Sequence, residues 1–133
     1  MCFGLSESFG FWNCEKNTVE LRNELGPGKI LRVNCTSKDD VIGVKEVAFN
    51  DAYHFRFKEH RTKRTIWLCL LRWRGQEDLY HDLWPAYRGG NTRRCAEKRS
   101  WISLPDGIYL EKNKEPRKYV DKWFSKGNPQ LRP

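Results

Sequence analysis

Residues 65–73 read Thr65-Ile66-Trp67-Leu68-Cys69-Leu70-Leu71-Arg72-Trp73. Successive side chains of a strand point to opposite faces. Here both faces are apolar, with Trp67, Cys69 and Leu71 on one side and Ile66, Leu68 and Leu70 on the other. That pattern predicts a central strand covered on each side. Upstream, Val19, Leu21 and Leu25 alternate with Glu20, Arg22 and Glu24 before a Pro27-Gly28 turn. Leu31, Val33 and Cys35 alternate with Arg32 and Asn34, until Ser37-Lys38-Asp39-Asp40 and Gly43 break the run. Tyr53, Phe55 and Phe57 alternate with His54, Arg56 and Lys58. Downstream, 78–84 forms a strand ended by Pro85, and 101–104 turns at Pro105-Asp106-Gly107 to return as 108–110. A last strand, 119–124, closes the set. These runs, with no convincing helix, predict an all-β fold: an antiparallel β-sandwich of seven or eight strands. The domain is expected over 17–124, with flexible ends at 1–16 and 125–133.

The chain has 133 residues, enough for one core and one domain. Aromatic residues make up 14% of it, which excludes wholesale disorder. The longest apolar run, Ile66 to Leu71, is six residues, against roughly 20 for a membrane-crossing helix. The net charge of +8 is concentrated: residues 56–99 hold 12 Lys/Arg against 5 Asp/Glu. The excess clusters at 58–64, 72–74, 88–94 and 98–99, and such clusters attract polyanions. One functional class is therefore a basic polyanion-binding module for cell-wall polysaccharide or RNA.

Five cysteines (Cys2, Cys14, Cys35, Cys69, Cys95) in so short a chain indicate a secreted, disulfide-bearing domain. No CxxC pair exists, so no metal site is expected. Cys2, in the flexible end, is the candidate for the unpaired cysteine, while the connectivity of the rest stays open. Asn34-Cys35-Thr36 is an N-glycosylation sequon, and strand alternation places Asn34 on the outer face. His54, His60 and His81 invite comparison with histidine-dependent ribonucleases, but none lies in a recognisable catalytic motif. No GxSxG elbow occurs either, so no enzyme activity is expected. Asp39-Asp40 lacks the rest of a calcium loop and reads as a turn. Trp67, Trp73 and Trp101 fall in strand patterns and read as core.

Several of these pieces, in order, resemble one family. Asn23-Glu24-Leu25, Leu31 to Cys35, Ser37-Lys38-Asp39-Asp40 with Gly43, Tyr53-x-Phe55-x-Phe57, Trp67-x-Cys69 with Trp73, Cys95, and Trp101 to Asp106-Gly107-Ile108-Tyr109-Leu110 are similar to the plant self-incompatibility S-protein homologue family. Asn34 stands where that family usually has His, Val41 where a third Asp is usual, and Ser100 where many members carry Cys. The resemblance implies a secreted, disulfide-bonded β-sandwich with Cys14, Cys35, Cys69 and Cys95 as its half-cystines, Cys14 standing in for the missing one. Met1 to Glu7 has no secretory leader pattern, and the resemblance makes the chain a mature form with an added initiator Met.

The namesake of the family, the stigma S protein of poppy, is an extracellular ligand for a pollen receptor. The chain is accordingly expected to be a monomeric signalling ligand for a cell-surface receptor, with no cofactor, no nucleic-acid partner and no membrane insertion. Loops on a rigid sandwich can vary without unfolding it. Partner contacts are therefore expected at Arg61, Lys63 and Arg64; at Gln76, Glu77 and Asp78; at Asn91, Thr92, Arg93 and Arg94; and at Asn113, Lys114, Glu115 and Arg117.

Overall fold

The computed structural model describes residues 14–59, 64–90 and 94–125. It contains ten strands: β1 (Asn17–Asn23), β2 (Leu31–Ser37), β3 (Val41–Val47), β4 (Ala52–Phe57), β5 (Ile66–Arg74), β6 (Asp78–Arg88), β7 (Lys98–Leu104), β8 (Gly107–Lys112), β9 (Lys118–Asp121) and β10 (Phe124–Ser125). They form two five-stranded sheets, β4-β1-β7-β8-β9 and β10-β6-β5-β2-β3. Val19, Leu21, Leu31, Val33, Leu71, Leu83 and Tyr87 fill the space between them. The all-β sandwich is as the alternating runs predict.

Five details differ from the sequence expectation. Pairing is antiparallel throughout except for β1 and β7, which run parallel. After β6 the chain re-enters the first sheet at the end where β1 begins, so β7 must run alongside β1 in the same direction. Parallel neighbours always need such a long crossover.

β5 is central in its sheet but covered on one side only. Trp67, Cys69, Leu71 and Trp73 are buried, whereas Leu70 is 44% exposed. A two-layer sandwich leaves each sheet an open face, and the second apolar row of β5 lies on it.

The Ser37–Gly43 break turned out to be a hairpin leading into β3. This strand shows no apolar alternation because it is an edge strand, with Val41, Val44, Lys45 and Glu46 all exposed.

Pro85 does not end β6. The register jumps from Trp67↔Tyr87 to Cys69↔Leu83, so residues 84–86 stand opposite Leu68 alone. A bulge leaves residues unpaired and so accepts a proline, which has no N–H to give. β10 reaches only Leu79 and Tyr80, so no strand needs the N–H of Pro85 on the other side. The single closing strand expected over 119–124 is likewise two short ones, β9 and β10, which belong to different sheets.

Two disulfides tie the fold. Cys35 and Cys69 are register partners on adjacent strands and are bonded. Cys14 bonds Cys95, joining the segments that lead into β1 and β7. Cys2 lies outside the described residues.

Candidate functional site

Strand register fixes which connections share an end of the sandwich. Asn17 at the start of β1 pairs with Phe57 at the end of β4, and neighbouring Thr18 lies beside Lys98 at the start of β7. In the other sheet Ser37 pairs with Trp67, and Ile66 with Arg88. The β2–β3, β4–β5, β6–β7 and β8–β9 connections therefore emerge at one end. Of the residues expected to contact a partner, Arg64, Arg94, Asn113, Lys114, Glu115 and Arg117 belong to these connections. Gln76, Glu77 and Asp78 lie at the opposite end, where Asp78 pairs with Arg74 and Glu77 accepts a hydrogen bond from Ser125. Arg61, Lys63, Asn91, Thr92 and Arg93 lie outside the described residues.

A buried polar network ties the bases of the two basic connections together. Glu59, only 5% exposed, accepts hydrogen bonds from the Tyr87 hydroxyl and, at 3.0 Å, from the Arg94 backbone N–H. The Arg94 guanidinium donates to Glu97 at 3.2 Å, and Arg99 Nε donates to the same carboxylate at 2.8 Å. Asn17 closes the circuit: its Oδ1 accepts from Glu97 N–H at 2.9 Å and its Nδ2 donates to the Arg94 carbonyl at 3.0 Å. Arg99 also lies 4.6 Å over the ring of Tyr87. Burial holds the Tyr87 phenol well above its ordinary pKa, reinforced by the hydrogen bond to Glu59 and by its charge. A Cβ on Gly89 would stand 3.2 Å from the Glu59 carboxylate carbon, so glycine lets the chain pass close by.

Sequence reasoning missed Glu59, Tyr87 and Glu97. A lone Glu inside Lys58-Glu59-His60-Arg61 has the signature of a solvated charge, and only the tertiary fold buries it.

The histidines are kept apart among the described residues. His54 is exposed on the outer face of the first sheet, opposite Glu20. His81 is buried, 3.1 Å from Asp121 and stacked on Phe124. His60 lies outside the described residues. Asp39-Asp40 occupies the β2–β3 turn, which Ser37 closes by accepting from the Asp40 N–H at 3.2 Å. Arg117 is committed internally: it donates to Glu24 at 3.1 Å and to Glu111 at 2.9 Å. Ile102 is 1% exposed yet stands outside the main core cluster. Its strand parity, opposite to inward Trp101, puts it on the outer face of the first sheet.

A family model described as plant self-incompatibility protein S1 matches residues 18–123, nearly the whole sandwich. The chain belongs to this S1 family. Among its relatives, S-protein homolog 14 of Arabidopsis thaliana is 40% identical over 86% of this chain and 81% of the relative. S-protein homolog 9 of the same plant is 35% identical over 92% and 90%. A solved structure with a TM-score of 0.70 and 27% identity covers 86% of this chain and 99% of its own. It is described as representing self-incompatibility protein homologues, a widespread family of small, highly stable, secreted proteins from plants.

Two stretches that carry the S1 resemblance have structural work to do here. Asn23 is fully buried, and its side chain bonds the β1–β2 loop at Lys29 and the end of β3 at Val47. In Asp106-Gly107-Ile108-Tyr109, a Cβ at Gly107 would overlap the Asp121 backbone oxygen, and Asp106 accepts from the Tyr109 hydroxyl at 2.8 Å.

Proposed function

We propose that this S1-family protein is a secreted, monomeric plant signalling ligand. A cell-surface receptor would bind the end of the sandwich where the β2–β3, β4–β5, β6–β7 and β8–β9 connections emerge. It acts by recognition and not by catalysis. The observation that carries this reading is the Glu59 network. It presets the bases of two basic connections in the unbound protein, and preset loops lose less entropy on binding. Two disulfides and the secreted character of the family support an extracellular setting.

Ion pairs hold several of the arginines in place, while the net charge of +8 is unchanged by them. Arg94 and Arg99 serve Glu97, Arg117 serves Glu24 and Glu111, and Arg32 serves Glu46. Guanidinium groups fixed in this way suit shaped recognition, and the salt dependence of binding separates it from bulk attraction to a polyanion.

The test is binding of labelled protein to plant plasma-membrane vesicles across a salt series. A receptor ligand keeps a saturable, salt-resistant component. That component should disappear when 58–65 and 89–97 are exchanged for the matching loops of S-protein homolog 14. Affinity that falls linearly in log salt and ignores the loop exchange would instead mark a polyanion-binding module.

A further inference from the structure

The open face of the second sheet carries a patch unlike an ordinary solvated surface. Val44 is 62% exposed, Val41 76% and Leu70 44%. Asn34 sits among them. Its register partners are Val44 on β3 and Leu70 on β5, while Thr36, two residues on, pairs with Val41 and Leu68. Asn34 and Thr36 share the outward parity of β2, because Leu31, Val33 and Cys35 are buried. No hydrogen bond within the described residues holds the Asn34 carboxamide. Oδ1 is buried without a hydrogen-bond partner, while the residue as a whole is half-buried and Nδ2 makes no hydrogen bond among the described residues. Nδ2 is thus the atom turned to solvent, and it is the atom that a glycan would occupy.

We infer that Asn34 is N-glycosylated and that the first sugars of the glycan cover the Val41–Val44–Leu70 patch. In the reaction, Nδ2 of Asn34 attacks the anomeric carbon of an oligosaccharide carried on a polyprenyl diphosphate. The new N–C bond forms as the C–O bond to diphosphate breaks. The amide proton passes to a base of the transferase and the lipid diphosphate departs. In the folded sheet β2 is paired on both sides and cannot enter a peptide-binding cleft, so transfer precedes closure of the Cys35–Cys69 bond.

Apolar C–H faces of sugar rings suit exposed aliphatic side chains, and Arg72 at the margin of the patch offers hydrogen bonds to hydroxyls. Covering this face leaves the loop end as the open surface. The inference goes beyond receptor recognition and rests only on passage through the secretory route.

The experiment is expression with a secretory leader in plant cells, intact mass under reducing and non-reducing conditions, and peptide mapping. The expected result is a glycan on the Asn34 peptide, released by a peptide N-glycosidase that tolerates core fucose and leaves an Asn34→Asp conversion. Thr36→Ser should keep occupancy, and Thr36→Ala and Asn34→Gln should abolish it. Enzymatic release from the folded wild type should raise binding of an apolar-surface dye by about twofold or more, and Leu70→Lys should reverse the rise. Secreted protein with both disulfides but a bare Asn34 overturns the inference, as does glycan release with no change in dye binding. Failure to be secreted, with reduced cysteines, would instead sink the extracellular reading itself.

Discussion

The Asn23 side chain donates from Nδ2 to the Val47 carbonyl at 2.8 Å, fastening the end of β1 in one sheet to the end of β3 in the other. The same amide donates to the Lys29 carbonyl at 2.8 Å, and its Oδ1 accepts from the Leu25 N–H at 2.8 Å. Its backbone meets Asp51 and Asn50 as well. Removing the side chain strands the buried Val47 carbonyl and the buried Leu25 N–H, each worth about 1–3 kcal/mol when left unpaired, and frees the part-buried Lys29 carbonyl. Asn23→Ala should lower unfolding free energy by about 3 kcal/mol or more, read from urea midpoints at constant slope. A loss under about 1 kcal/mol would mean that water replaces the carboxamide without penalty.

The Tyr87–Glu59 bond predicts an alkaline weakness. The folded phenol holds its proton above the ordinary tyrosine value of about 10. Between the unfolded and folded pKa values the native state binds more protons than the unfolded state. The contribution is therefore complete below about pH 10 and is lost as pH rises beyond it. Urea midpoints should fall above pH 10 in the wild type and fall less in Tyr87→Phe, with one fewer tyrosinate released only on unfolding. Equal slopes for the two proteins would remove Tyr87 from the account.

Much of this architecture is legible in the sequence because its strands alternate. Val19 and Leu21, or Leu31, Val33 and Cys35, announce both a strand and its buried face. Legibility fails where tertiary position overrides local pattern. β3 has no apolar alternation because an edge strand has little to bury. Pro85 hides the end of β6 because a bulge absorbs it. Leu70 looks buried because sequence records apolarity and not which sheet face has a neighbour. The site is less legible than the fold. Arg64 and Arg94 are visible as loop cations, but Glu59 becomes informative only when Tyr87 and Arg94, 28 and 35 residues away, are brought to it.

Arg117 looks like a recognition residue in the sequence, and its ion pairs suggest a simpler role. By joining Glu24 to Glu111 it bridges the outer side of the first sheet, where Ile102 is buried. The guanidinium is about one-third exposed, so solvent and salt weaken both pairs. Arg117→Ala should cost no more than about 1 kcal/mol at low salt, shrinking at 0.5 M salt. Hydrogen exchange should quicken at Ile102 in preference to the second sheet. Unchanged exchange at Ile102 together with lost vesicle binding would return Arg117 to the recognition surface.

The two disulfides differ in access, and this orders their reduction. Cys35 and Cys69 are both fully buried within a sheet, whereas Cys95 is exposed beside the Glu97 network. A reductant needs a direct approach to sulfur, so Cys14–Cys95 should open first under mild, non-denaturing reduction, as mapped by stepwise alkylation. The separations of 81 and 34 residues give about 4.5 and 3.8 kcal/mol in the chain-entropy view. The doubly substituted Cys14→Ala/Cys95→Ala protein should therefore lose about 4 kcal/mol of stability. Amides that exchange by global unfolding should quicken everywhere, but local opening should add a further increase at the end bearing Glu59, Arg94 and Glu97. At the Asn23–Val47 end exchange should quicken by no more than the global loss, because its hydrogen bonds do not pass through either sulfur. Simultaneous reduction of both bonds, or no excess of exchange at the loop end over Asn23, would show that the two ends open together and that Cys14–Cys95 is no separate clasp for the loop end.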